Sequence, residues 1–225
     1  MLKLKKLYFS AMADDNYLKA KRIFSQHAQL YRDRFWDVSR YAGSLSCFAA
    51  SLPKGARVLE LGCGPGNVTA FLLERYADLT IYPTDFSPEM VALAQQENPS
   101  CEASVFDVRQ LASWERPVEG ILSGFVIPYL NEADTRTFLK EAADVLPAGG
   151  MLYVSGMVEN ATQQSGERTN SQGDVLYMYY HRLSDLLDWV QESGFHVTFQ
   201  TVDYYPAGDG TTTSDCAIVA RKITA

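Results

Sequence analysis

From Gly55 onward, short apolar runs bounded by turn residues alternate with stretches whose apolar positions recur three and four residues apart. The first pattern predicts strands and the second predicts helices with one buried face. Arg57–Leu61, Leu79–Pro83, Ala103–Phe106, Gly120–Ser123 and Met151–Ser155 read as five strands. Helices are predicted over Val68–Tyr76, around Met90–Gln96, from Asn131 to about Leu146, and from Ser184 to Glu192. Ser87, Asn131 and Ser184 are suitable N-caps, Pro88 sits where a missing N–H costs nothing, and Gly194 is a helix stop. Phe195–Val202 and Cys216–Ala220 complete seven strands, joined by the turn-rich segment from Pro206 to Thr213. Glu159 to Asp174, polar and glycine-containing, reads as a loop, either a mobile flap or a plain solvated connection.

Strand–helix alternation with short apolar strands implies a parallel sheet covered on both faces. The last two strands have no helix between them, so one of them runs antiparallel at the sheet's edge. Upstream, Phe24, Ala28, Tyr31, Phe35 and Val38 keep helical spacing, predicting two or three helices before Pro53, Lys54 and Gly55 break the pattern. The expected fold is a doubly wound α/β domain: a mostly parallel, seven-stranded Rossmann-like sheet with an antiparallel edge strand and an N-terminal helical cap. Residues 1–13 are expected to form a loose arm, 14–54 the cap, and 55–225 the ligand-binding domain.

Composition narrows the functions open to such a fold. The chain has 225 residues with 20 Lys and Arg against 27 Asp and Glu, a net charge of −7. That balance disfavours nucleic acid as a partner, since phosphate contacts call for a basic face. Cys47, Cys63, Cys101 and Cys216 lack metal-ligand spacing, so no metal site is expected and a reducing cytoplasmic location fits. No apolar run approaches the ~20 residues of a membrane span.

The chemistry concentrates in the turn after the first strand, Val58-Leu-Glu-Leu-Gly-Cys-Gly-Pro-Gly-Asn67. Glycines let the backbone approach a ligand where a Cβ would collide, and the carboxyl ends of parallel strands are where open α/β sheets bind ligands. The spacing is G-x-G-x-G. The dinucleotide fingerprint would place its third glycine at Asn67, and no lysine follows as a P-loop requires. Glu60 would repel a pyrophosphate but suits an ammonium group.

Glu60-Leu-Gly-Cys-Gly-Pro-Gly66 resembles the first motif of the class I S-adenosylmethionine-dependent methyltransferases. Thr84-Asp-Phe-Ser-Pro-Glu-Met90, Phe106-Asp-Val108 and Leu146-Pro-Ala-Gly-Gly-Met-Leu-Tyr153 resemble three further motifs of that family, in order. The resemblance implies S-adenosylmethionine as cofactor, S-adenosylhomocysteine as product, no metal, and in-line transfer of a methyl group to O, N or C of a small-molecule acceptor. It also implies roles. Gly62, Cys63, Gly64 and Gly66 leave room for the methionine part, with Glu60 facing its ammonium. Asp85 accepts from both ribose hydroxyls, Phe86 and Met90 pack on adenine, and Asp107 and the Val108 amide read its edge. Ser123 and Gly124 line the methionine side.

Acceptor chemistry is less constrained. Tyr129, in Val126-Ile-Pro-Tyr129, lacks the Asn or Asp that amino-methylating DNA enzymes of this family carry in that stretch, which again disfavours nucleic acid. His181, in a Tyr–Tyr–His cluster, has the ordinary pKa of a general base, and Tyr129 and His181 are the candidate catalytic residues. His27, Tyr31 and Tyr180 are candidates for the acceptor pocket, whereas His196 sits in a strand pattern. Two other readings stay open: a non-catalytic protein that binds the cofactor or its product, and a nucleotide-dependent oxidoreductase.

Overall fold

The structure is a computed structural model that describes residues 16–206 and 210–223. The expected N-terminal arm, residues 1–13, lies outside the described residues. Three helices come first: α1 over residues 16–26, α2 (Ala28–Phe35) and α3 (Ala42–Ala50). The alternating region follows as β1 (Arg57–Leu61), α4 (Asn67–Arg75), β2 (Thr80–Asp85), α5 (Pro88–Glu97), β3 (Ser104–Val105), β4 (Gly120–Gly124), α6 (Glu132–Val145) and β5 (Met151–Met157). A hairpin of β6 (Gly166–Thr169) and β7 (Val175–Met178) precedes α7 (Leu183–Glu192), β8 (Phe195–Pro206) and β9 (Thr212–Lys222).

The sheet has seven strands in the order β3-β2-β1-β4-β5-β9-β8. β1 to β5 pair in parallel, and β9 runs antiparallel to both β5 and β8. The outermost strand, β8, thus pairs antiparallel with its neighbour, and the reversed strand itself is tucked one place inward. Burial follows this order: β9 is buried from Ser214 to Ala220, while β8 alternates with exposed residues.

The period-2 alternation along each strand sorts the core into two layers. Leu59, Leu61, Ile121, Leu152, Val154 and Ile218 pack with Phe138 of α6 and Trp189 of α7. Val58, Ile81, Leu122, Tyr153 and Val219 face the other way, onto Phe48 of α3 and Leu72 of α4. The same alternation turns Glu60 toward α4. A third, smaller cluster joins Ala20 and Ile23 of α1 to Leu176 and Met178 of β7 and to Tyr180.

Two predicted caps form. Ser87 Oγ accepts from the Met90 amide, and Asn131 Oδ1 accepts from the Asp134 amide at 3.0 Å. Ser184 is not a cap, because Arg182 takes that position and the helix opens at Leu183. The polar stretch from Glu159 to Asp174 is not wholly a loop, since β6 pairs with β7 from Gly166 opposite Met178 to Thr169 opposite Val175. Residues 167–169 are exposed, so this strand carries no apolar alternation to betray it. Asn131→Ala removes the α6 cap and is expected to cost about 1 kcal/mol, lowering the thermal midpoint by ~2–4 °C in a melting experiment.

Candidate active site

The turn from β1 into α4 uses its three glycines differently, although all adopt positive φ. A Cβ on Gly62 would strike Val126, and one on Gly66 would strike Asn98 and Ala94 of α5. Asn98 Nδ2 also donates to the Gly66 carbonyl at 2.9 Å. Gly66 is therefore a packing glycine that lets two helices meet, and it does not line a cavity. Gly64 is the open one, where a Cβ would stand 3.8 Å from the Tyr31 ring. Asn67, at the position where a dinucleotide binder has glycine, donates from Nδ2 to the Phe35 carbonyl at 2.7 Å and so stitches the cap to the loop.

Asp85 ends β2 beside this turn. Its Oδ2 accepts from the Gly64 amide at 3.0 Å and its Oδ1 from the Ser87 amide at 2.9 Å. Burial pushes its pKa up to about 6, against the pull of those amides. Glu60, also buried, accepts from the Thr69 hydroxyl. Burial raises Glu60 to about 7; the Thr69 hydrogen bond opposes that rise and the nearby Asp85 adds to it. These buried carboxylates are costly as anions, and a ligand with matching donors relieves that cost.

Two adjoining cavities meet at this turn. The smaller, about 70 Å³, lies between Phe86, Met90, Phe106 and Val108 on one side and Tyr17, Phe24, Tyr31 and Tyr129 on the other. The larger, about 470 Å³, continues past Gly62, Cys63 and Gly64 to Glu60, Tyr41, Tyr153, Ser155, Met157 and Tyr205. Tyr31, Gly124, Phe125 and Tyr129 border both. α1 and α2 form the roof: Tyr17 packs edge-on against Phe86 at 5.1 Å, and Phe24 against Tyr129 at 5.1 Å.

Of the residues singled out from sequence, Glu60, Gly62, Cys63, Gly64, Asp85, Phe86, Met90, Val108, Gly124, Tyr31 and Tyr129 line these cavities. Asp107 does not. Its Oδ1 accepts from the Tyr17 hydroxyl at 2.8 Å and the Arg109 amide at 2.9 Å, and its Oδ2 pairs with the Arg109 guanidinium. Burial alone would raise its pKa, but Arg109 and Tyr17 hold it below the usual carboxylate range. Ser123 is buried within the sheet, with no hydrogen-bond partner for its hydroxyl among the described residues.

The histidines are placed elsewhere. His181 Nε2 lies 3.0 Å from the Leu130 carbonyl, and its ring is set between Tyr179 and Trp189, with burial lowering its pKa. Its nitrogen is committed to backbone and its ring to packing, so it reaches neither cavity. His27 Nε2 is 2.8 Å from Asp174 at the tip of the β6–β7 hairpin, tying the cap down. Tyr180 packs between α1 and the hairpin with Arg168 over its ring. Tyr129 does border the site, and burial drives its pKa upward. The sequence reading missed Phe125, a non-glycine residue at φ 58 that walls both cavities. It also missed Tyr17, Phe24, Tyr41 and Tyr205.

The seven-stranded sheet thus places a glycine turn after β1 and a buried carboxylate at the end of β2 side by side at the carboxyl ends of its parallel strands. Residues 58–150 match a family described as a methyltransferase domain. A trans-aconitate 2-methyltransferase of Azoarcus sp. (strain BH72) is 38% identical over 103 residues, 46% of this chain and 40% of that protein. The match thus spans about two fifths of that relative's length. An S-adenosylmethionine-dependent methyltransferase from Clostridium acetobutylicum superposes with a TM-score of 0.69 at 13% identity, covering 90% of this chain and 100% of that one. A 1,6-didemethyltoxoflavin-N1-methyltransferase of Burkholderia thailandensis, with bound 1,6-didemethyltoxoflavin and S-adenosylhomocysteine, gives 0.68 at 19% identity over 92% of this chain and 88% of that one. Over residues 58–150 the chain is thus similar to a methyltransferase domain, and its fold matches that of solved S-adenosylmethionine-dependent methyltransferases.

The buried carboxylates make stability depend on pH. Folding raises Glu60 from 4.5 to about 7 and Asp85 from 3.8 to about 6. The folded state therefore holds protons that the unfolded chain has already released, so their contribution falls as pH rises from about 4 to 7. The urea midpoint of the ligand-free protein is expected to be lower at pH 8 than at pH 5, and Glu60→Gln is expected to lessen that difference.

Proposed function

We propose that the protein transfers the methyl group of S-adenosylmethionine to an O, N or C atom of a small-molecule acceptor. The observation that carries this reading is Asp85: a buried carboxylate whose oxygens each accept from one backbone amide and which lines the smaller cavity beside the glycine turn. Each oxygen keeps a lone pair, which matches the two hydroxyls of a ribose. Phe86, Met90, Phe106 and Val108 offer an apolar slot for the adenine, and Glu60 offers the methionine ammonium a carboxylate whose burial that cation would compensate. Asp107 acts here by holding Tyr17 of the roof over the slot.

When bound, the cofactor would be held by Asp85 and Glu60 beside the Gly64 turn and would supply an electrophilic methyl group for in-line displacement by the acceptor. What the chain contributes is placement. Gly64 gives room beside the ribose carboxylate, Phe125 divides the cavities, and Tyr31 and Tyr129 close the reaction volume from above.

Thermal unfolding with S-adenosylhomocysteine, with NAD as control, tests the assignment. At 100 times its dissociation constant a ligand adds about 2.7 kcal/mol, which for a chain of this size raises the midpoint by roughly 5–11 °C. The rise is expected with S-adenosylhomocysteine alone, and a rise with NAD instead would overturn the reading. Asp85→Asn replaces one acceptor oxygen by a donor, costing one loop amide its partner and the ribose one acceptor, and is expected to weaken S-adenosylhomocysteine by about 1–3 kcal/mol in a calorimetric titration. Unchanged affinity would remove Asp85 from the ribose site.

A further inference from the structure

The far wall of the larger cavity holds a polar cluster to which the cofactor reading assigns no role. Reversal of β9 brings its N-terminal half to the ligand side of the sheet, with Asp215 opposite Met157 of β5. Asp215 is 2% exposed, and its Oδ2 accepts from the Tyr41 hydroxyl at 2.7 Å and from the Tyr205 hydroxyl at 2.8 Å. Its Oδ1 is buried with no hydrogen-bond partner among the described residues. Tyr41 and Tyr205 both line the cavity, and the Tyr41 ring lies 5.0 Å from that of Phe125.

This arrangement fixes the polarity of the wall. A tyrosine hydroxyl has one proton, and here both protons go to Asp215. The two phenolic oxygens can therefore only accept from a ligand. Arg40 is the one cationic side chain among the described residues lining the cavity, and its guanidinium lies 4.1 Å from the centre of the Tyr205 ring. Against it stand Asp37 on the lining and Asp215 behind it, Glu60 being taken by the cofactor's ammonium in the methyltransferase reading. A polycarboxylate would meet excess negative charge and two oxygens with no proton to offer.

Resting on the methyltransferase reading, we propose that the Tyr41–Asp215–Tyr205 cluster is the acceptor-recognition site and selects a small molecule bearing an ammonium group or another strong N–H donor. Tyr41 and Tyr205 would touch the acceptor. Asp215 is a positioning residue that orients both hydroxyls and supplies the charge behind them. The acceptor class differs from the tricarboxylic acid named for the Azoarcus relative, and the three residues fall outside residues 58–150, the segment that matches the methyltransferase family.

The test is calorimetric binding to protein saturated with S-adenosylhomocysteine, using tyramine and 4-hydroxyphenylacetate, which present an ammonium or a carboxylate on a similar phenol scaffold, together with trans-aconitate. Tyramine is expected to bind at least about tenfold more tightly than either acid. Asp215→Asn is expected to bring tyramine and 4-hydroxyphenylacetate close to parity while the thermal shift with S-adenosylhomocysteine remains. Tyr41→Phe, which spares the carboxylate, is expected to weaken tyramine severalfold and covers the case in which Asp215→Asn fails to fold. Preference for either acid, a tyramine preference that survives Asp215→Asn, or no tyramine binding by a protein that still responds to S-adenosylhomocysteine would overturn the proposal. Loss of that response in the wild-type protein would instead count against the methyltransferase reading itself.

Discussion

At the carboxyl end of β2, Asp85 bonds the amide of Gly64 with one oxygen and that of Ser87 with the other, and so fastens the β1–α4 turn to the start of α5. The Cys63 amide on the Thr84 carbonyl and the Phe106 amide on the Asp85 carbonyl extend the same weave to the loop after β3. Parallel strands leave their carboxyl ends unpaired, and here the loops answer one another across those ends. The carboxylate in the middle is strained electrostatically by burial, as its raised pKa shows. Geometry and electrostatics agree: the loops preorganise a recess around a buried carboxylate that two backbone amides hold in place.

The roof is held from two sides. Below, Asn67 bonds the Phe35 carbonyl, and Asp107 holds Tyr17. Above, the β6–β7 hairpin meets the cap through His27 with Asp174 and through Arg34 with Ser171. α1 is thus packed between the hairpin and the smaller cavity, with Ile23 toward the hairpin and Tyr17 and Phe24 toward the recess. Residues that look functional in isolation, such as His27 and Tyr180, are used to fasten this lid.

The sheet and the glycine turn were legible in the chain because both are local. Apolar runs mark the inner strands, and Gly62, Gly64 and Asp85 occupy positions that backbone geometry dictates. β6 left no trace, since an exposed hairpin strand needs no apolar face. The Tyr–Tyr–His run misled for a related reason: consecutive residues diverge, Tyr180 going to α1 and His181 to α6 and α7. The acceptor wall was invisible because its members come from distant parts of the chain, Tyr41 and Asp215 lying 174 positions apart. Only a charged residue opening the otherwise apolar run Cys216–Ala220 hinted at Asp215.

The reversal of β9 has a consequence for how such a protein changes over time. The smaller cavity is floored by the middle of the chain and roofed by the cap, while the far wall of the larger one takes Tyr41 from the cap and Tyr205 from the β8–β9 pair. Selection can therefore rewrite what the molecule accepts by altering its two flanks, leaving the central segment untouched. A chimera that exchanges residues 195–222 between relatives would alter that wall while the glycine turn, Asp85 and the roof over the smaller cavity stay constant.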